Sequence, residues 1–541
     1  MMRNWISNGP RRVVFAWMLA AALPAAPAAD RMELVPKWNR CERAFKSSVA
    51  YAHPVQDVSL KVTFTSPLGE TAEVDAFWDG GKTWRVRFAP DQPGPWRFRT
   101  ACSDPTNPGL HDQAGEFLCT AATGATPWHR HGPVRVARDR RHFEHTDGTP
   151  FFWLADTVWD GARLAESRDW DYYASTRARQ DFTVVQWAAA PGEDARAQSA
   201  WGSSPERITI NPAFFQRLDA KITALAQAGL VSAIVPLWEQ PWPTNAVPLP
   251  DDQAECLVRY MVARWSAEPV VWLLAIKSDA ATHGLERWKR IGQTVFGDRP
   301  HAPVVLFPGR THWLFDEFRD QEWVDAFGYQ NVTDVTDDAL MWAVSGPFTA
   351  EWQRAPARPL IVFAPHESSI APRSARRFTA DDVRRAAYWG LLLAPPAGVS
   401  YGAEELIPWA GIDGKPKRGG GTLWREALTL SGAKQMSHLA TFMNSLNYEA
   451  LRPQTHRVAA QPGRRSPQRF IAAASTEANT LTVVYVPEDR SVQLRPDALP
   501  ASPAASWFNP RTGSRQAAVA RGGRFTTPAP GDWLLLIQAR R

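Results

Sequence analysis

Between residues 134 and 445 the chain alternates short apolar runs with amphipathic helical stretches, and few folds accept such a pattern. The runs are 151–155, 183–187, 231–237, 270–275, 304–307, 326–329, 360–363 and 398–401. Each is nearly unbroken in hydrophobicity, as expected of a parallel strand covered on both faces. Helical patterns intervene, among them 212–228 and 251–265. The clearest unit spans 358–402, where a strand is followed by a polar turn, a helix and a second strand. In the predicted helix 379–394, Val383, Ala386, Ala387, Gly390 and Leu391 recur at helical spacing. Asp381, Asp382, Arg384 and Arg385 take the other side. Thr379 supplies an N-cap and Pro395-Pro396 a stop. Eight such units in about 300 residues predict a (β/α)8 barrel, the α/β TIM-barrel architecture. Such a barrel keeps its chemistry just beyond the C-terminal ends of its strands, and the barrel is expected to occupy 134–445.

The flanks read differently. In residues 35–122, Val58-Ser-Leu-Lys-Val-Thr-Phe64 and Trp84-Arg-Val-Arg-Phe88 alternate with period two. Asp79-Gly80-Gly81 and Pro93-Gly94 mark turns. This predicts a small N-terminal β-sandwich. The linker 121–131 is short and carries Trp128 and His129, so the sandwich is expected to pack on the barrel. Alternation returns toward the C-terminus, in Leu481-Thr-Val-Val-Tyr-Val486 and Trp533-Leu-Leu-Leu-Ile537, with a turn at Asn509-Pro-Arg-Thr-Gly513. That predicts a second small all-β domain over 455–541.

Residues 1–28 read as a secretory signal: Arg3, Arg11 and Arg12, an apolar run, then Ala26-Pro27-Ala28 as a small-x-small cleavage site. The protein is therefore expected to be exported, to the periplasm or beyond the cell. No other run is long enough to span a bilayer. The formal charge of +6 falls to +3 once those arginines leave, which makes no case for nucleic acid. Four cysteines, Cys41, Cys102, Cys119 and Cys256, leave room for at most one bridge within the N-terminal module. No His/Cys cluster has metal-ligand spacing, and no cofactor is called for. Twenty-six tryptophans suit both large cores and the stacking of aromatic rings on sugar faces.

Several runs resemble the apiosidase-like glycoside hydrolase family. They are Asp147-Gly-Thr-Pro-Phe-Phe-Trp-Leu-Ala-Asp-Thr-Val-Trp159, Val270-Val-Trp-Leu-Leu274, Ala387-Tyr-Trp389 with Gly398-Val-Ser-Tyr-Gly402, and Gly432-Ala-Lys-Gln-Met436. The stretch from Phe77 to Trp96 resembles a sandwich module attached to some bacterial glycoside hydrolases. Trp507-Phe-Asn-Pro-Arg-Thr-Gly513 and Gly531-Asp-Trp533 resemble the collagen-binding-like domain that follows such barrels. The resemblance implies cleavage of glycosidic bonds in a polysaccharide or oligosaccharide.

Glycoside hydrolysis takes two carboxylates flanking the scissile bond, one as proton donor and one as nucleophile or base. The family pattern implies an Asp after strand 4 and a Glu after strand 7. Here Lys277 and Ala364 stand at those places. Nearby substitutes are Asp279 and Glu367, with Glu239 after strand 3 as a third candidate. Asp156, Gln186, Gln330, His366 and Tyr401 are candidate hydroxyl partners, and Trp159, Trp187 and Trp238 candidate stacking platforms. The replaced carboxylates also admit a different class of function, a catalytically degenerate carbohydrate-binding or adhesion protein.

Overall fold

A computed structural model describes residues 32–237, 249–276, 283–297, 299–308, 313–409, 423–500 and 503–539. The expected leader 1–28 and the candidates Trp238, Glu239, Lys277 and Asp279 lie outside the described residues.

Eight parallel strands close into a barrel. In chain order they are β1 (Trp153–Thr157), β2 (Val184–Ala188), β3 (Val231–Val235), β4 (Val270–Ile276), β5 (Val304–Pro308), β6 (Ala326–Tyr329), β7 (Leu360–Phe363) and β8 (Gly398–Gly402). The last strand pairs with the first, Asp156 opposite Tyr401, which leaves no edge. Side chains alternate between two cores. Trp153, Ala155, Val184, Ala233, Leu273, Val305 and Ile361 fill the interior. Leu154, Val185, Trp272, Leu306, Val362 and Val399 face a surrounding layer of helices. A three-stranded sheet (Val134–Val136, Phe143–His145, Pro150–Phe151) closes the N-terminal end, where Phe143 packs on Trp153 at 5.6 Å between ring centroids.

The helices that matter below are α1 (Ser167–Arg179), α2 (Pro212–Gln227), α3 (Asp251–Trp265), α4 (Ala380–Leu393) and α5 (Ser431–Asn444). α4 begins with a capping box: Asp382 N–H donates to Thr379 Oγ1, and Thr379 N–H to Asp382 Oδ2 at 2.9 Å. Gly390 lets this helix lie directly on β7, since a Cβ there would run into Val362.

The N-terminal module is a sandwich of a five-stranded and a three-stranded sheet around Val62, Phe64, Val86 and Phe117. It is bolted to the barrel through buried charge. Asp219 on α2 accepts from Arg87 Nη2 of the sandwich (2.7 Å), from Arg264 Nε and Nη2 of α3 (2.9 and 2.7 Å) and from Trp265 Nε1 (2.7 Å). Arg264 Nη1 reaches back to Asp79 of the sandwich at 2.9 Å. Both guanidiniums lie over the Phe77 ring, 5.0 and 4.7 Å from its centroid. Burial alone would raise the Asp219 pKa; hydrogen bonds from Arg87 and Arg264 outweigh it and hold the carboxyl below its ordinary value. The four cysteines are free thiols.

The C-terminal module is a six-stranded sheet beside a three-stranded one, with Trp507 and Trp533 in its core. Asp532, of the Gly-Asp-Trp run, takes a forked bond from Arg384 Nε and Nη2 of α4 (2.5 and 2.7 Å). Tyr485 stacks on Tyr388 at 5.1 Å, and Phe508 packs at a tilt against Phe442 at 4.6 Å. Arg384, expected on the polar side of its helix, is thus buried: the second module converts that side into an interface.

Removing one partner of a buried ion pair strands the other, at a cost of about 3–5 kcal/mol. Asp219→Ala leaves two arginines without their shared acceptor. It should lower unfolding free energy by about that amount and let protease release the sandwich, both measurable by denaturant unfolding and limited digestion.

Candidate active site

The C-terminal ends of the strands form the barrel mouth, and alternation decides which side chains reach it. Thr157, Gln186 and Ser400 belong to the inward set. Thr157 Oγ1 and Ser400 Oγ both donate to Gln186 Oε1, at 3.0 and 2.7 Å, linking β1, β2 and β8. All three are buried, and the Gln186 amide nitrogen has no protein partner among the described residues. Phe307 and Phe363 stack at 4.0 Å on the other half of the interior. Trp159 and Gln330 are half-buried, just past β1 and β6.

His366 follows β7 and is seated over Gly402, where a Cβ would come within 2.6 Å of its ring. Glycine at 402 therefore makes the space the imidazole occupies. Burial pushes the His366 pKa down to about 4, so the ring is neutral near pH 7.

The next residue turns the other way. Glu367 bridges to Ala403 and donates its N–H to Gly402 O at 2.8 Å. Its carboxylate accepts from Tyr401 Oη at 2.6 Å and from Gly432 N–H at 3.1 Å, in the first turn of α5. It is 6 % exposed. Burial raises its pKa, while the two donors pull it down in part. Ala364 is buried, and no carboxylate stands at that position.

Asp156, Trp187 and Tyr401 also face the helix layer. Asp156 Oδ2 accepts from Arg177 Nε of α1 at 2.6 Å and from Tyr173 Oη at 2.7 Å, and all three residues are fully buried. Arg177 lies 5.7 Å from the centroid of the Tyr401 ring. Trp187 packs edge-on against Trp265 at 6.0 Å. Burial raises the Asp156 pKa despite the opposing Arg177 charge. The structure thus brings Gln186, His366, Trp159 and Gln330 to the mouth. Asp156, Tyr401 and Glu367 join a polar array behind it.

Four residues of these arrays, Arg177, Tyr173, Thr157 and Ser400, escaped the sequence reading. Arg177 sits four residues from Tyr173, on the same buried stripe of α1 as Trp170 and Ala174. A charge on an apolar stripe signals a buried ion pair, and that signal was present. Thr157 and Ser400 follow from counting inward positions along β1 and β8 by twos.

His366 has a depressed folded pKa, so it contributes stability above the ordinary value of 6.5 that is lost as pH falls through about 4. Each pH unit in that window removes up to about 1.4 kcal/mol. Denaturant unfolding of wild type and His366→Asn between pH 7 and 4 should show a slope steeper in wild type than in the variant by up to that amount, the variant keeping the share of His129, His145 and His438, whose pKa values burial also lowers.

Residues 137–450, more than half of the chain, match the family described as apiosidase-like, catalytic domain. Residues 34–103 match a family described as a domain of unknown function, and 453–538 one described as "Putative collagen-binding domain of a collagenase". Among solved structures, a glycoside hydrolase is 19 % identical with a TM-score of 0.65, covering 77 % of this chain and 99 % of its own. A family 5 glycoside hydrolase from Bacteroides vulgatus is 19 % identical with a TM-score of 0.66, covering 77 % and 94 %. A third, described as a "putative glycoside hydrolase" from Bacteroides vulgatus, is 17 % identical with a TM-score of 0.67. It covers 94 % of this chain and 99 % of its own, so the likeness in fold extends across nearly the whole chain. No curated protein matches the sequence. With its closed eight-stranded barrel set between two β-modules, the chain belongs to the apiosidase-like family of glycoside-hydrolase-like proteins.

Proposed function

We propose that this protein is an exported glycoside hydrolase that cleaves O-glycosidic bonds in a polysaccharide or oligosaccharide. The observation that carries the reading is the barrel mouth. Neutral hydrogen-bonding groups (Gln186, Gln330, His366) and a half-buried tryptophan (Trp159) gather there, at the end of the fold where such barrels do chemistry. Planar polar groups that match a hydroxyl pattern, beside an aromatic face, are what sugar recognition requires. Trp238, which follows β3 in the sequence, is proposed as a further stacking platform.

Two carboxylates from strand ends are proposed to act on the bond: Glu367 after β7 with Asp279 after β4, and Glu239 after β3 as the alternative partner. Burial raises the pKa of Glu367, the direction that suits a proton donor. Export rests on the leader-like residues 1–28. No helix among the described residues is long and apolar enough to cross a membrane.

A second reading, a catalytically degenerate carbohydrate-binding protein, is favoured by the contacts of Glu367 itself. A carboxylate that accepts from Tyr401 and from the N-terminus of α5 is already engaged in structure.

Glu367→Gln separates the two, with sugar release from plant-type polysaccharides and thermal melting measured on the same protein. If Glu367 is catalytic, turnover should fall at least about 100-fold, on the scale of general acid–base catalysis, with melting and sugar binding nearly unchanged. Loss of thermal stability with turnover retained would assign Glu367 to holding α5. Sugar binding by wild type with no cleavage of any polysaccharide would establish the second reading.

A further inference from the structure

Away from the mouth, a cavity of about 510 Å³ lies in the seam between the N-terminal sandwich and the barrel. One wall is sandwich, including Asp57, Asp75 and Trp78; the other is α3, with Asp252, Glu255 and Arg259. A third side is Arg207, next to the short hairpin (Trp201–Ser203, Ile208–Ile210) that follows β2. That hairpin and the N-terminal half of α3 belong to the same end of the barrel as the mouth.

Both walls are fixed. The Asp219 network locks sandwich to barrel, and Ile208 N–H donates to Gln56 Oε1 across the seam at 3.0 Å. Ligand sites of this size favour such interfaces between modules, and a preformed one binds without the cost of ordering its walls.

The lining has a specific chemistry. Arg207 pairs with Asp57 at 3.4 Å, and Asp75 is shared by Arg259 at 3.7 Å and Arg299 at 2.5 Å. Asp252 and Glu255, one helical turn apart on α3, have no hydrogen-bond or ion-pair partner among the described residues. These two carboxylates, Asp252 exposed and Glu255 partly buried, can only accept hydrogen bonds, so a ligand that engages them in place of water brings donors. Trp78, in the sandwich wall of the same cavity, is half-buried, its Nε1 held by Gly81 O at 2.9 Å, which leaves the indole fixed in orientation. Hydroxyl donors with an apolar C–H face fit that combination. A ligand carboxylate does not, because the unpaired charges repel it.

We infer that the seam cavity is an accessory binding site for a neutral oligosaccharide, separate from the barrel mouth and rejecting uronic acids. The inference takes its ligand class from the sugar-cleaving reading above, but not its location or its charge preference.

Calorimetry and saturation-transfer NMR on the full-length Glu367→Gln protein test it, because they read binding without turnover. The probes are cellotetraose, xylotetraose, mannotetraose, trigalacturonate and spermidine. At least one neutral tetrasaccharide should bind, and bind at least about tenfold more weakly when Asp252→Asn and Glu255→Gln are combined. Trigalacturonate should not bind at this site. Both substitutions keep side-chain size at partly exposed positions, and Glu255→Lys alone is a second variant expected to abolish binding. The inference is overturned if no neutral probe binds, or if binding ignores these substitutions. It is overturned equally if trigalacturonate or spermidine occupies the site as well as the neutral sugars do. Absence of cleavage by wild type, with seam binding intact, would sink the hydrolase reading and leave this one standing.

Discussion

An arginine buried without a carboxylate would cost several kcal/mol, and three arginines, each buried against a carboxylate, organise this molecule. Each lies on a barrel helix. Arg177 on α1 meets Asp156 of β1, Arg264 on α3 meets Asp219 of α2 and Asp79 of the sandwich, and Arg384 on α4 meets Asp532 of the C-terminal module. The first ties a helix to the strand where the barrel closes. The second and third fix the two β-modules. Apolar packing would hold these surfaces together in several orientations of similar energy; desolvated ion pairs, forked at Arg264–Asp219 and Arg384–Asp532, select one, because every other orientation leaves a charge unpaired.

The same logic sorts the barrel mouth. Past the end of β7 the backbone turns, and His366 and Glu367, adjacent in sequence, do different things. The imidazole rests over Gly402 at the rim, while the carboxylate joins Tyr401 and the first turn of α5. Asp156 and Gln186 part in the same way. The aspartate serves Arg177 and Tyr173 behind the barrel wall; the glutamine is held by Thr157 and Ser400 inside it. The runs that resemble the family are largely the places where these arrays meet: the first strand, the last strand and the glycine at the start of α5.

Rigid attachment of the sandwich has a consequence for recognition. A flexible tether would leave its surface independent of the barrel. Because Arg87, Asp219 and Arg264 hold it fast, the space between modules becomes a defined cavity with its own charge balance. A ligand long enough to reach both modules would then meet two surfaces at a constant distance.

Much of this was legible in the residues alone. Eight unbroken apolar runs separated by amphipathic stretches require a two-faced buried parallel sheet, and period-two alternation with Gly and Pro turns requires the flanking β-modules. The helix over α4, its Thr379 cap and its stop at Pro395 were all written locally, since capping and periodicity act within one turn. What the sequence left open was direction and company. Glu367 as a strand-end carboxylate can be read from the chain; that its oxygens meet Tyr401 and Gly432 cannot, because those partners are 34 and 65 residues away. Arg384 looked solvent-facing until Asp532, 148 residues later, brought a module over it. Local sequence determines which groups are polar and where along a strand they fall. Only the tertiary structure decides what each one touches, because burial and hydrogen bonding depend on chain segments brought together by folding.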